Sequence, residues 1–547
     1  MKKWLLIGIV ILGFGLRSLG LGSHPAGFTP DEASFGYDAY SILKTGKDQW
    51  GKTLPLVFKS FGDDKLPTYT YLTVPSVAIF GLNEFAVRLP NVVLGTLSIA
   101  VLYLLVKKLF KDEKIALLSA FLLAISPWHI MLSRGAFEAN LTTFFLPLGI
   151  LFFLKSLNKS HNIKYIILSI LIFLLNIFTY HTARLLTPLI LFFLVFNYRK
   201  ELKINKIYIQ ALAFSIILFL ISIVGILLGG SRLASSSILK NVNTDSQFFS
   251  VKVGEPTVFA KAFNNKLLLV SQTAFRNYVS YFSPQFLFTN GPNEGTYGMV
   301  PGTGVLYLIE AVFLVGFVFK LVKRGISKVD LILIFWIIIS PIPASLTSGP
   351  GLAANRAAFM MPAIQIISGT GAIFLYEFLN KRIKRIFLIT SGISFLILFS
   401  FFLNDYFIKQ PALYAKDMAY GTKQVFEFLE KQNPNPESEI IVTRKISEPQ
   451  IFAAFYSKMD PNKYQEESKK WNFEERGYNW VDQMPEYSLG KYLFSDNYNL
   501  PTLEVVVPPE EIPQQVCVSP IIKKIYLPNS RELFYIRKNS ISISHGC

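Results

Sequence analysis

Apolar runs of about 14–24 residues recur along this chain and alternate with polar connections. Roughly 20 residues of helix cross the hydrocarbon core of a bilayer, so each run is a candidate membrane-spanning helix. The pattern predicts about eleven of them, at residues 3–20, 84–106, 115–128, 140–154, 165–180, 185–198, 207–229, 305–322, 329–346, 356–379 and 386–404. We therefore expect a polytopic α-helical membrane protein.

The first run follows the basic start Met1-Lys2-Lys3 and shares this charge pattern with signal peptides. No small-residue cleavage site follows it cleanly. The sequence favours a retained first membrane helix with its N-terminus in the cytoplasm.

Clusters of Lys and Arg lie in the connections that follow the even-numbered runs. The positive-inside rule places such short connections in the cytoplasm. The five clusters are Lys107/Lys108/Lys111/Lys114, Lys155/Lys159/Lys164, Arg199/Lys200/Lys203/Lys206, Lys320/Lys323/Arg324/Lys328 and Lys381/Arg382/Lys384/Arg385. The loops 22–83 and 230–304 would then be external, and an odd number of spans would put the C-terminus outside as well. Amphipathic patterning in the first loop indicates helices along the membrane surface.

The C-terminal residues 405–547 are polar, in contrast to the apolar runs that precede them. The segments EIIVTRKI, LEVVVP and ELFYIRK are typical of β-strands, and TKQVFEFLEKQ before them is typical of a helix. We expect residues 1–404 to form the transmembrane domain and 405–547 to form a small extracytoplasmic soluble α/β domain.

The composition agrees with a membrane protein. The chain has 547 residues, of which 51% are hydrophobic, and its mean hydropathy is +0.40. The net charge of +18 would suggest nucleic acid in a soluble protein. Here much of that charge lies in the cytoplasmic connections, so orientation on anionic lipid explains it better. The lipid bilayer is a predicted partner and nucleic acid is not.

The chain has two cysteines, Cys517 and Cys547, both after the last apolar run. This number excludes a zinc cluster or a disulfide scaffold. One late disulfide and two free thiols both remain open.

The first external loop begins with an acidic pair. Asp31 and Glu32 follow Pro30 directly after the first run, at the outer boundary of the membrane. A carboxylate there can deprotonate an incoming hydroxyl or amine. An Asp–Glu pair after Pro is also typical of a helix N-terminus, so a capping role stays open.

Lys65 lies where the same loop returns to the membrane. It can neutralise a lipid phosphate, or its side chain can snorkel along the interface. Asp63 and Asp64 are alternative ion-pair partners on a solvated turn.

Further charged residues fall in the later external connections. Arg134 and Glu138 are four residues apart and would face each other on a helix. His181 and Arg184 lie one turn apart, and Arg356 begins the tenth run. Each position alone also suits an ordinary interface anchor. Together they predict an outward-facing cavity with a carboxylate pair and several permanent cations, which fits an anionic lipid donor because Arg holds phosphate through paired donors.

The sequence has neither of two common nucleotide-binding motifs, GxxxxGK[ST] and GxGxxG after a strand. It also has no HExxH motif for binding zinc. The cytoplasmic connections are too short for a nucleotide-binding domain. An activated donor would therefore come from the membrane.

Several segments carry a resemblance to a known family. PDEASFGYDAYSILKTGKDQWG, KLPTYTYLTVP, GLNEFAVRLPNVVLG and SPWHIMLSRGAFEANL resemble the dolichyl-phosphate-mannose–protein mannosyltransferases and their bacterial branch, which includes the aminoarabinose transferase acting on lipid A. FSPQFLFTNGPNEGTYGMVPGTGVLY and PIPASLTSGPGLAANRAAFMMPA are similar to the same branch. The resemblance covers most of residues 1–430 and implies a glycosyltransferase of the GT-C fold in the domain 1–404.

The resemblance also implies roles for single residues. Asp31 matches the catalytic base, with Glu32 completing the acidic pair. Lys65 matches a phosphate-binding Lys-Pro element, although Leu66 separates it here from Pro67. Glu138 matches the acidic residue of the second external loop. Arg184 and Arg356 match later cations that face the lipid phosphate. Beside these, Asp64, Arg134, Glu138 and His181 are candidates for substrate binding or support from their positions in the sequence.

The implied reaction is an inverting displacement that moves a sugar from a polyprenyl-phosphate-linked donor to a protein, lipid or glycan acceptor outside the cell membrane. A divalent cation is conceivable beside two adjoining carboxylates, but the resemblance favours no metal and no cofactor is predicted. A transporter or flippase, a polysaccharide polymerase or ligase with a lipid diphosphate donor, and a structural membrane protein fit the same topology. The nearly charge-free span centres argue against a transporter.

Overall fold

The computed structural model describes residues 2–157, 163–202, 266–292, 295–347, 352–433, 439–498, 504–511 and 520–538, together with a few single positions between 213 and 224. The predicted span at 207–229 and the cysteines Cys517 and Cys547 lie almost wholly outside these residues.

Helices dominate the first 414 residues. In the described part of the chain they are α1 Lys2–Ser18, α2 Pro30–Thr45, α3 Pro67–Phe80, α4 Glu84–Phe110, α5 Glu113–Ile125, α6 Pro127–Ser133, α7 Thr142–Ser156, α8 Ile163–Ile177, α9 His181–Asn197, α10 Lys266–Ser280, α11 Glu310–Arg324, α12 Lys328–Ile339, α13 Ile342–Ser345, α14 Ala363–Phe378, α15 Lys381–Asn404 and α16 Gln410–Tyr414.

Five helical stretches among the described residues are long and apolar enough to cross a membrane. A sixth is added if α5 and α6 form one span, since they bend by 57° at Ser126. The five are Glu84–Phe110, Glu138–Ser156, Lys328–Ser345, Ala358–Phe378 and Lys381–Tyr414. Helices also overlie the other predicted spans in the described residues, but α1, α8, α9 and α11 are shorter.

The outer surface of the bundle is apolar, as a lipid-facing surface must be. On α15 Leu396 is 68% exposed and Phe401 is 63% exposed, and almost none of this helix is buried. In contrast, α14 is almost completely enclosed by its neighbours. Because a soluble protein rarely exposes so large an apolar patch, this surface is that of a multi-pass membrane protein.

The C-terminal residues form a six-stranded mixed sheet. Its strands are β3 Ile440–Val442, β4 Glu486–Leu489, β5 Tyr492–Ser495, β6 Glu504–Val507, β7 Ile521–Tyr526 and β8 Glu532–Lys538; β1 Phe58–Lys59 and β2 Asp64–Lys65 form a separate pair earlier in the chain. The strand order in the sheet is β4-β5-β3-β6-β8-β7, with parallel pairing of β3 to β5 and β6 and antiparallel pairing elsewhere. Three helices accompany them, α17 Thr422–Gln432, α18 Pro449–Ser457 and α19 Pro461–Ser468.

This sheet and the loop 22–83 share one apolar core. Phe35, Tyr37 and Tyr69 of the loop lie in the same buried cluster as Phe452 and Phe455 of α18. A hydrogen bond reinforces this packing, since the Tyr37 hydroxyl donates to the Met459 carbonyl at 3.1 Å. The C-terminal segment is therefore packed directly on the loop that holds the acidic pair.

Candidate functional site

Helix α2 begins at the acidic pair because three local signals coincide there. The Thr29 side chain accepts a hydrogen bond from the Glu32 amide at 3.2 Å, and the Glu32 carboxylate accepts one from the Thr29 amide at 3.0 Å. This reciprocal capping box is reinforced by Pro30 in the first turn. Gly46 ends the helix with a φ of 71°, which glycine adopts without strain. Glu32 therefore caps the N-terminus of α2, which is one of the two roles that the sequence left open for the acidic pair.

Glu32 is buried and pairs with an arginine that the sequence reasoning did not single out. Arg88 of α4 donates from Nε to Glu32 Oε1 at 2.8 Å and from a second nitrogen to Oε2 at 3.2 Å. The Ala136 amide adds a third hydrogen bond at 3.0 Å. Arg88 also binds the carbonyls of Leu21, Pro25 and Gly27. This geometry favours a positioning role for Glu32, which ties α2 to α4.

Asp31 has a different environment from its neighbour. Its carboxylate is 35% exposed and lies 2.7 Å from Lys65 Nζ. The Lys65 side chain is itself 3% exposed, and its ammonium group lies 4.9 Å from the Phe35 ring centroid and 5.3 Å from that of Phe61. One carboxylate of the pair is therefore accessible and held by a buried cation, while the other is enclosed.

The accessible carboxylate opens into a cavity of about 840 Å³ between the helical bundle and the C-terminal sheet. From the bundle side it is lined by Asp31, Asp63 and Arg356, and from the C-terminal side by Lys416, Asp417, Lys445, Glu448, Trp480 and Asp482. Two of the residues predicted from the sequence, Asp31 and Arg356, thus line the same cavity.

Arg356 contributes a permanent positive charge to this cavity. Its guanidinium donates to the Thr347 hydroxyl at 2.7 Å, and its amide binds the Asn355 side chain at 2.8 Å. These bonds fix the arginine on the bundle side. Because guanidinium donors suit phosphate oxygens, Arg356 is chemically suited to an anionic ligand in the cavity.

Asp38 lies on the same face of α2 as Asp31, two turns along the helix. It is buried and accepts hydrogen bonds from the Gln49 amide at 2.9 Å and the Gln49 side chain at 3.1 Å. Burial, together with the nearby charge of Asp48, raises the pKa of Asp38 to about 8, and Lys65 opposes that rise. Lys65 therefore interacts electrostatically with two carboxylates that lie two turns apart on α2.

Arg134 serves the packing of the bundle. It is fully buried and donates to the carbonyls of Leu16 and Leu19 at 2.8 and 2.6 Å. The helix α6 ends at Ser133 and the chain turns before Glu138. The two residues are therefore not on one continuous helix, so the predicted helical i,i+4 pair is wrong. Glu138 begins a short 3₁₀ segment instead.

His181 and Arg184 of α9 both interact with Asp64, the residue before Lys65. His181 Nε2 lies 2.9 Å from the Asp64 carbonyl oxygen, and the charges of Arg184 and Asp64 interact. Asp64 and Lys65 form the short strand β2, which pairs with β1, Phe58–Lys59. None of the three is among the described residues that line the cavity.

The largest omission of the sequence reasoning is the C-terminal wall of the cavity. Glu448, Asp482 and Trp480 belong to the part of the chain in which no motif was apparent. Glu448 precedes Pro449 at the start of α18, where an isolated acid before a proline reads as an ordinary helix start. Glu448 lines the cavity because the C-terminal segment packs on the loop 22–83, and this tertiary contact has no signal in the local sequence. Among the described residues, no group of three His, Cys, Asp or Glu is arranged to hold a metal ion.

Comparisons with known proteins agree with this architecture. A family model described as dolichyl-phosphate-mannose-protein mannosyltransferase matches residues 64–224. An uncharacterized protein of Aquifex aeolicus (strain VF5) is 29% identical over 150 residues, which is 27% of this chain and 29% of that relative's length.

Two solved structures share the fold. ArnT from Cupriavidus metallidurans bound to undecaprenyl phosphate aligns over 99% of both chains with a TM-score of 0.53 and 12% identity. Archaeal oligosaccharyltransferase AglB from Archaeoglobus fulgidus, in complex with an inhibitory peptide and a dolichol-phosphate, aligns over 83% of this chain and 63% of its own, with a TM-score of 0.51 and 15% identity. The matched family and these structural neighbours are glycosyltransferases. The family match and the shared fold confirm the predicted resemblance to GT-C glycosyltransferases of the protein-mannosyltransferase and ArnT-like group.

Proposed function

We propose that this chain is a membrane glycosyltransferase that moves a sugar from a polyprenyl-phosphate-linked donor to an acceptor on the extracytoplasmic face. The observation that carries the proposal is the Asp31–Lys65 pair at the edge of a cavity that also exposes Arg356. A carboxylate that is accessible and fixed in position is suited to general-base catalysis. A neighbouring arginine is suited to a phosphate leaving group.

The proposed reaction is a direct displacement at the anomeric carbon. Asp31 takes the proton of the acceptor hydroxyl or amine as that atom bonds to the anomeric carbon. The bond between this carbon and the phosphate oxygen breaks, and polyprenyl monophosphate leaves with the bonding electrons. Arg356 stabilises the charge that develops on the phosphate, and attack from the opposite face inverts the anomeric centre.

Lys65 and the remaining cations have supporting parts in this proposal. Because Lys65 is buried against Asp31, its first task is to hold the base in place, and phosphate contact remains a prediction for it. Arg184 and His181 position Lys65 through the strand that carries Asp64. Glu32 anchors the start of α2 through Arg88.

The shared fold supports the choice of a lipid-linked donor. The two neighbours were solved with undecaprenyl phosphate and with a dolichol-phosphate, respectively. A donor of this kind agrees with the lack of a nucleotide-binding motif in the sequence. The acceptor is left as a protein, a lipid or a glycan.

The proposed topology has eleven spans in the cell membrane, a cytoplasmic N-terminus and an extracytoplasmic domain at 405–547. It can be tested by introducing Lys47→Cys in the first external loop and Lys323→Cys in the last turn of α11, each in a background with Cys517 and Cys547 changed to Ser. A membrane-impermeant maleimide added to intact cells should label the first variant and spare the second. The reverse labelling would place Asp31 on the cytoplasmic side and overturn the proposal.

The donor class is tested with the purified full-length protein in proteoliposomes. Undecaprenyl-monophosphate- and undecaprenyl-diphosphate-linked sugars, each labelled in the sugar, are supplied with a membrane extract as the source of acceptor. Transfer of label with release of undecaprenyl monophosphate is expected from the first donor. Use of the diphosphate donor alone would identify a polymerase or ligase, and movement of intact donor across the bilayer would identify a transporter.

A further inference from the structure

Glu448 brings a second carboxyl group to the cavity from the C-terminal segment. It is 4% exposed and lines the same cavity as Asp31. Its backbone is left-handed, with φ 51° and ψ 53°. For a residue other than glycine this conformation is unfavourable and is sustained by the surrounding structure. The fold therefore holds this side chain at the cavity against a local preference.

A chain of buried hydrogen bonds fixes the carboxyl group in place. The Gln450 side chain donates to Glu448 Oε2 at 2.7 Å. The Tyr487 hydroxyl of β4 donates in turn to Gln450 Oε1 at 2.7 Å. Gln450 is fully buried and Tyr487 nearly so. The orientation of Glu448 is thus set by the sheet, and the cavity receives a carboxyl group that is already positioned.

The charges around Glu448 indicate what it can bind. Burial raises its pKa well above the usual range, and the carboxylates of Asp482 and Asp63 raise it further, against the opposing effects of Gln450 and Lys65. Acidic neighbours repel a phosphate, so the donor's phosphate does not belong beside Glu448, although Lys416 and Lys445 line the same C-terminal side of the cavity. A carboxyl group that keeps its proton both donates and accepts hydrogen bonds, which matches the hydroxyl groups of a neutral sugar.

An aromatic side chain completes the same wall. Trp480 lines the cavity beside Asp482, and it packs so closely on the loop before β2 that a Cβ at Gly62 would lie 2.8 Å from its ring. The ring is therefore held rigidly. Binding sites for small polar ligands combine such apolar surfaces with a few well-placed polar groups.

We propose that Glu448, beside Asp482 and Trp480, forms a subsite for the sugar that is transferred, and binds its hydroxyl groups. The subsite rests on the proposed function, because it assumes a glycosyl donor in the cavity. It assigns the C-terminal segment a direct part in substrate binding: the bundle supplies the base and the cation for the phosphate, and the sheet supplies sugar recognition.

The test compares binding of a donor with and without its sugar. The full-length wild-type protein, Glu448→Gln and Glu448→Ala are assayed in proteoliposomes with the undecaprenyl-phosphate hexose, among the mannose, glucose and galactose forms, that the wild type uses fastest. KM is measured for this donor, and the inhibition constant is measured for undecaprenyl phosphate alone. Glu504→Ala serves as the control, since Glu504 is a buried carboxyl of β6 paired with Asn433 and is not a lining residue.

Glu448→Ala is expected to raise the donor KM about tenfold or more, because a hydrogen bond to the sugar is lost. The inhibition constant of the sugar-free lipid should stay within about twofold. Glu448→Gln should recover most of the affinity, since an amide also donates and accepts. An unchanged donor KM in Glu448→Ala, or an equal weakening of donor and sugar-free lipid, would overturn the subsite while leaving the proposed function intact. A wild type that uses none of the donors would overturn the proposed function itself.

Discussion

Asp31 and Lys65 form an ion pair with 2.7 Å between the Asp31 carboxylate and Lys65 Nζ. The Asp31 side chain is one-third exposed, whereas that of Lys65 is almost fully buried. The pair joins the first turn of α2 to strand β2, which precedes α3 in the loop 22–83. This asymmetry leaves the carboxylate open to the cavity while its cation stays enclosed. The relationship accounts for why the two acids that are adjacent in sequence have different environments.

Removing the cation tests whether Lys65 holds the base or contacts the phosphate. Lys65→Met deletes the charge and keeps much of the volume. If Lys65 positions Asp31, kcat should fall by about 10-fold or more while the donor KM changes little. The measurement is steady-state transfer at varied donor and acceptor concentrations.

A selective rise of the donor KM in Lys65→Met, with kcat preserved, would contradict the positioning role and support the phosphate contact. Lys470→Met, on the exposed surface of the C-terminal segment, is the matched control and should behave as the wild type.

Arg356 is the cation that we expect to contact the leaving phosphate. Arg356→Ala should raise the donor KM and lower kcat, together by about 10–100-fold in kcat/KM, because a charge-assisted hydrogen bond is lost. Arg356→Lys should recover part of this, since it restores the charge without the paired donors. Arg476→Ala removes an exposed arginine as a control. If Arg356→Ala retains the wild-type kcat/KM, this arginine has no role at the phosphate.

The Arg88–Glu32 pair should be required for stability. Arg88→Ala leaves the Glu32 carboxylate buried without its cation, which typically costs about 3–5 kcal/mol. The variant should therefore lose several degrees in Tm in thermal unfolding of the detergent-solubilised protein. Lys524→Ala breaks the exposed pair with Glu532 and should leave the Tm close to that of the wild type. Equal Tm values for the two variants would show that the buried pair is not an anchor.

Glu448 should make the stability of the protein fall as the pH rises. Its pKa in the folded protein is raised by burial and by Asp482, so the folded state keeps a proton that the unfolded chain releases above about pH 4.5. The stabilisation is complete below that pH and is lost as the pH rises through the folded pKa. Glu448→Gln cannot titrate, so its Tm relative to the wild type should increase from pH 5 to pH 8. If the Tm difference between Glu448→Gln and the wild type does not change with pH, the Glu448 carboxyl group is ionised in the folded protein over this range.

The sequence predicted the parts of the fold that depend on local pattern. The strand-like segments around Ile440–Val442, Glu504–Val507 and Glu532–Lys538 are strands, and TKQVFEFLEKQ is the helix Thr422–Gln432. The hairpin Glu486–Leu489 and Tyr492–Ser495 was missed, because each of its strands is only four residues long and gives too short a pattern to recognise.

The site was predictable only where it depends on position along the chain. Asp31 follows the first apolar run and indeed reaches a cavity. The separate environment of Glu32 depends on Arg88, which is 56 residues away, and no spacing rule connects the two. Glu448 is even more remote, and its place depends on packing of the sheet against α2. Contacts of this range are set by tertiary structure, which local patterns do not encode.

The central claim is tested most directly by single-turnover transfer in Asp31→Asn, with Glu474→Gln as an exposed carboxylate control. Donor labelled in the sugar is first bound to the protein, and transfer is started by adding acceptor. The account predicts that Asp31→Asn binds the donor as the wild type does but transfers about 10²–10⁴-fold more slowly, while the control is unaffected. Transfer by Asp31→Asn within about threefold of the wild-type rate would show that Asp31 is not the base.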